Sequence, residues 1–153
     1  MDVPSIIFLG ALCGLVGAFA MTAFMAAVSS AFSKRVDMVR ALGSYFTGRV
    51  EGSLWLGRLI HAVSGLIFGA LYLWIMSLMG ALSFPYPIFL GIGFGFFHGL
   101  LMAYVLMIFA SERHPIEDDR NATLEEGLLH LVGHVIFGAI VGLLASLLAL
   151  GGL

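Results

Sequence analysis

Charge is what this sequence has least of. Asp, Glu, Lys and Arg make up 10% of its 153 residues, where a soluble domain carries about 25%. Apolar residues reach 61% and the mean hydropathy is +1.08. Those values exclude a soluble enzyme and a disordered tail. Seven basic residues and a net charge of −2 leave no basic surface, so no nucleic-acid partner is expected. Cysteine is nearly absent: Cys13 stands alone, which excludes a disulfide scaffold and any Cys-rich zinc or iron–sulfur motif. The composition is that of a membrane protein, with the lipid bilayer as its first partner.

The few charges are bunched. Apart from Asp2, seven lie between Lys34 and Arg58 and eight between Glu112 and Glu126. The stretches 3–33, 59–111 and 127–153 hold none. An apolar run of about 20 residues crosses the hydrocarbon core as a helix, so the outer stretches hold one span each and the middle one holds two. Ser83-Phe84-Pro85-Tyr86-Pro87 divides the middle run, because proline does not continue a helix and biases its predecessor toward extended conformations. The fold class predicted is an all-α membrane protein, one four-helix transmembrane domain over 1–153, with spans near 5–32, 54–80, 87–110 and 125–150. Loops 33–53 and 111–124 then share a side. All seven Lys and Arg lie there, so the positive-inside rule makes these loops cytoplasmic and puts both termini on the outer side of the cell (inner) membrane, multi-pass. Asp2 stands where a secretory signal would carry Lys or Arg, and the first apolar run exceeds a signal's core, so span one is expected to stay in the membrane.

The two loops differ in sign. Loop one balances to +3 and loop two to −4, which predicts that they pair over the bundle through weak exposed ion pairs of about 0–1 kcal/mol each. Val36, Val39, Leu42 and Phe46 recur at helical spacing, so 35–46 is expected as a short helix on the membrane surface. Thr123-x-x-Glu126 reads as a capping box opening the last helix. Tyr45, Trp55 and Tyr86 fall near the expected interfaces, where amphipathic rings collect. Asn121-Ala-Thr123 matches a glycosylation sequon but lies on the cytoplasmic side and is discarded.

Spans two and four share a pattern: His61-x-x-x-Gly65-x-x-x-Gly69 and His134-x-x-x-Gly138-x-x-x-Gly142. Gly10, Gly14 and Met21 align in the same way with Gly91, Gly95 and Met102. The offsets are 73 and 81 residues, so two tandem hairpin repeats are expected, related by an axis along the membrane normal. The glycines Gly10, Gly14, Gly65, Gly69, Gly91, Gly95, Gly138 and Gly142 have a structural role in view, since small residues four apart let transmembrane backbones approach closely.

Four of the five histidines fall inside predicted spans. An ionisable side chain in hydrocarbon is costly and faces the bundle interior or a cavity. With a rise of about 1.5 Å per residue, His61, His134 and His98 lie roughly 10, 13 and 18 Å inward from the charged-loop side, and His130 is shallower. Glu126, His130 and His134 share one helix face; His98 and Met102 share another. Convergence predicts a cofactor site on His61 and His134, or a metal site on His61, His98, His130, His134 and Met102. Two imidazoles facing across a four-helix bundle hold haem b by its axial positions, whereas imidazoles with a thioether suit copper, and imidazole in general zinc or iron. The bland reading is that the imidazoles hydrogen-bond to Ser64, Thr22 or a backbone carbonyl across helices, each worth about 0.6 kcal/mol. Other methionines read as core filling, Arg58 as a residue snorkelling to the interface and Cys13 as a small hydrophobe. No nucleophile–base pair, phosphate loop or paired carboxylate is present, so the chain is not expected to be an enzyme.

Asp37-x-x-x-x-Leu42-Gly43, Trp55-x-Gly57-x-x-x-His61-x-x-x-Gly65 and His134-x-x-x-Gly138 together resemble small four-helix bacterial inner-membrane proteins of uncharacterised families. The resemblance implies a bacterial multi-pass protein, without a substrate or cofactor. The expected function is an intramembrane histidine site for haem or a transition metal, in an electron-transfer or accessory subunit. One rival is a structural subunit that packs against a larger complex through outward Gly-rich faces. The other is a small oligomeric channel or transporter, which needs a continuous polar track. On any of these readings the chain works as a homo-oligomer or with other membrane subunits.

Overall fold

The computed structural model describes residues 1–31, 38–120 and 123–151. Lys34, Arg35, Val36, Asp37 and Asn121, which entered the loop charges, the surface helix and the sequon, lie outside the described residues. Six α-helices follow in order: α1 (Val3–Ala31), α2 (Met38–Thr47), α3 (Ser53–Leu78), α4 (Tyr86–Tyr104), the one-turn α5 (Ser111–Arg113) and α6 (Leu124–Leu150). A π-helical stretch, Val105–Ala110, joins α4 to α5, and a 3₁₀ turn spans Glu117–Asp119. No strand occurs among the described residues. Four of these segments are long and apolar enough to cross a membrane: Val3–Ala31, Ser53–Leu78, Tyr86–Ile108 and Leu124–Ala149. They agree with the predicted spans to within a few residues.

Local chemistry sets the ends. The Asp2 carboxylate accepts the Ser5 N–H at 3.1 Å and caps α1; hydrogen bonds from the Ser5 side chain and backbone hold that carboxyl below its ordinary value. The predicted capping box is present on α6, where Thr123 Oγ1 accepts from the Glu126 N–H and the Glu126 carboxylate accepts from the Thr123 N–H at 2.6 Å. Pro87 sits inside the first turn of α4, where its missing N–H costs nothing, so the break lies before Tyr86.

The helices pack as two antiparallel pairs, α1 with α3 and α4 with α6, joined through α1 against α6. Backbone meets backbone within each pair. A Cβ at Gly14 would overlap the Gly65 carbonyl oxygen, and one at Gly138 would overlap that of Gly91. All eight predicted packing glycines are spent in this way inside the bundle, where close packing takes the place of hydrophobic driving force. Gly65 and Gly69 surround Gly14, and Gly138 and Gly142 surround Gly91. In these contacts Gly14 is like Gly91, 77 residues on, rather than Gly95. The buried core (Ile6, Leu73, Met76, Val141, Ala145) fills the half away from the charged loops. Outside it, Phe8, Phe19, Trp55, Phe89 and Phe97 are exposed on every side, as expected of a surface that faces lipid.

Overpacking a tight contact costs about 1–3 kcal/mol. Gly14→Val and Gly138→Val are expected to destabilise the protein in detergent by at least that much, read as a sharp fall in the thermal midpoint. Gly93→Ala, where an added Cβ meets nothing within 4 Å, should leave it unchanged. Equal midpoints for the three variants would show that the glycine contacts do not hold the pairs.

Candidate functional site

Between the two pairs, at the end that carries α2 and the charged loops, lies a cavity of about 790 Å³. Its size is in the range of small-molecule and cofactor sites, roughly 300–1,000 Å³. The wall from α3 is a helical stripe, Leu54, Arg58, His61, Ser64 and Phe68, spaced three or four apart so that the side chains share a face. From the other pair come His98 and Met102 on α4 and His130, His134 and Phe137 on α6. α1 adds Met21, Thr22, Met25 and Ser29. All four intramembrane histidines therefore line one cavity, together with Met102. His61 comes from one pair and the other three from the opposite pair.

Each imidazole except His130 has one ring nitrogen fixed. His61 Nε2–H donates to the Ala18 carbonyl at 3.3 Å, an oxygen that also accepts from Thr22 Oγ1 at 2.9 Å. His134 Nδ1–H donates to the His130 carbonyl at 2.8 Å. His98 Nδ1 pairs with the Tyr72 hydroxyl at 3.1 Å. Buried polar groups require such partners; the carbonyl form of the bland reading is thus present, while Ser64 and Thr22 are not the partners. Among the described residues, the second nitrogens of these rings make no hydrogen bond to a protein group, and His130 Nδ1 is buried without a partner. His98 and His134 meet edge to face with centroids 4.6 Å apart, and His130 and His134 lie 5.3 Å apart. Among the described residues, no three of His, Cys, Asp and Glu gather as a metal-ion site. The physical reason is that each ring is tied to its own support: His134 to its own helix, His98 to α3, His61 to α1.

Aromatic side chains close the floor. Phe68 stacks on His98 at 3.9 Å, and Tyr72 packs edge to face on Phe94 and Phe137. Beneath them Leu73 and Met76 are sealed. Among the described residues, the cavity lining ends at this floor. Tyr72 and Phe68 were not singled out from sequence, although their places on the His61 face of α3 mark them.

The roof is α2. Met38 and Val39 line the cavity, and the helix lies against α3 because Gly43 and Gly57 leave no room for a Cβ between backbones. His114, unassigned from sequence, is 3% exposed and latches this helix to the second loop. Its Nδ1 accepts the Ile116 N–H at 3.1 Å, leaving Nε2–H to donate to the Ala41 carbonyl of α2 at 3.0 Å. Ser44 Oγ donates to Asp119 at 3.3 Å, and Arg120 Nε donates to the His114 carbonyl at 2.7 Å. The two loops do meet over the bundle, by buried hydrogen bonds at these positions. No protein-family model, no curated protein and no solved structure matches this chain.

Removing a partner from a buried hydrogen bond costs about 1–3 kcal/mol. His114→Ala is expected to speed backbone hydrogen exchange in α2 by a factor of five or more and to leave α3 and α6 protected as before. Unchanged exchange in α2 would mean that His114 does not hold the roof.

Proposed function

We propose that this chain is an integral membrane protein that binds haem b between its two helix pairs, with His61 and His134 as the ligands, and that it serves as an electron-transfer or accessory subunit. The observation that carries this reading is the single cavity with imidazoles on opposite walls. A bare ion needs three or four donors drawn tightly together and no empty volume. Haem needs two donors and room for a flat macrocycle, and the cavity supplies room with dispersed donors. His98 and His134 touch, so they are on the same side of any ligand; His61 comes from the opposite pair.

The His134 hydrogen bond supports the same choice. A ligating histidine usually donates its other N–H to a carbonyl or carboxylate, which fixes the ring and raises its basicity. His134 Nδ1–H does so and leaves Nε2 to ligate, whereas His61 Nε2 would have to leave the Ala18 carbonyl, its 3.3 Å partner, to ligate. A haem in this position would supply one-electron chemistry, with a potential tuned by ligands and burial. The aromatic floor favours a binding site over the channel reading, and the inward use of the glycines favours it over a purely structural subunit. Such a subunit acts in the cell membrane with its charged loops cytoplasmic, alongside further copies of itself or other subunits.

The test is the visible spectrum of protein purified in mild detergent, oxidised and dithionite-reduced, with elemental analysis of the same sample. The expected result is a Soret band that shifts on reduction and disappears in His61→Ala and His134→Ala. Stoichiometric copper, zinc or iron without that band would replace haem by a metal ion held by His98, His130, His134 and Met102. A colourless, metal-free protein from cells supplied with haem would overturn both.

A further inference from the structure

Among the described residues, Arg58 is the only formally charged side chain that lines the cavity; no described Asp, Glu or Lys does. It sits one helical turn from His61 on the same stripe of α3, about 4.5 Å nearer the charged loops, and it is solvent-exposed. Among the described residues it makes no hydrogen bond or ion pair. Two carboxylates of the second loop, Asp119 and Glu126, are engaged elsewhere, by Ser44 and by the Thr123 cap. The cavity thus has a graded chemistry: aromatic floor, imidazole walls and one guanidinium at the mouth.

We propose that Arg58 is an anchoring residue for an anionic group of the ligand, so that the cavity selects an amphiphile with a carboxylate at its rim. This rests on the haem reading, for which the carboxylates are the two propionates of the macrocycle. A guanidinium offers a planar fork that binds a carboxylate through two parallel hydrogen bonds. At the membrane edge that pair is less screened than in bulk water. The ligand enters with its apolar body toward Phe68 and Phe137 and its acids toward Arg58. The anchor also sets orientation, since only one edge of the macrocycle carries acids.

The test titrates the purified apoprotein with haemin and, separately, with haemin dimethyl ester, which keeps the ring and iron and lacks the acids. Wild-type protein should bind haemin at least tenfold more tightly than the ester. Arg58→Gln should bind the two alike, with the Soret position unchanged because the ligating imidazoles are untouched. Arg58→Lys should keep part of the preference, and Arg49→Gln, outside the cavity, all of it. A wild-type Soret band that depends on His61, with the same preference in Arg58→Gln, would overturn the anchor and leave the haem reading standing. A Soret band that stays at the free-compound position when wild-type protein is added to either compound would overturn the haem reading and the anchor with it.

Discussion

Everything in this structure depends on backbone approaching backbone inside each helix pair. Gly14 seats against Gly65 and Gly91 against Gly138 so closely that no side chain fits between. In lipid, where burying apolar surface brings no gain over facing acyl chains, such contact area is a main source of cohesion. Tightness within the pairs is what permits looseness between them. α1 and α6 hold the pairs together along the axis, while α3 and α4 touch lightly through Tyr72, Phe68, Phe94 and His98. The half-bundle at the charged-loop end is left open, and the cavity occupies it.

Much of the architecture was legible because charge is so scarce. Four spans follow from where the sixteen charged residues are not, and Thr123 with Glu126 marks the start of α6 by local chemistry alone. The convergence of His61, His98, His130 and His134 was also legible, since depth follows from rise per residue once the spans are known. The register between helices was not. Alignment of glycines by sequence chose Gly10 and Gly14 opposite Gly91 and Gly95, one turn away from the observed correspondence, because glycines repeating every four residues match equally well at either shift. His114 was hidden for a different reason. A histidine in a charged loop reads as solvated, and its burial depends on the approach of α2, which is set by Gly43 and Gly57 far away in sequence.

The histidines also show how a membrane interior manages groups with two faces. Imidazole carries a donor and an acceptor, and a helix offers carbonyls but few free donors. His61 and His134 each spend their donor on a carbonyl, one across helices and one within its own. What remains on each ring is a basic lone pair. A hydroxyl in these positions would spend its donor in the same way, as Thr22 does at Ala18, and would present a far weaker ligand.

Matching the two helix pairs by their glycine contacts brings out where they differ. His61 and His134 correspond, and so do Met25 and Met102. At the remaining positions the pairs part: Met21 stands opposite His98, and Gly57 opposite His130. Gly57 has to be glycine because the Val39 carbonyl of α2 lies where its Cβ would be. α2 docks on α3, and the matching place on α6 carries His130. The roof thus leaves no room for a side chain at Gly57, the place on its wall that matches His130. A ligand bridging the walls would meet one imidazole from α3 and a choice of three from α4 and α6, which favours a molecule that needs a single ligand from each side.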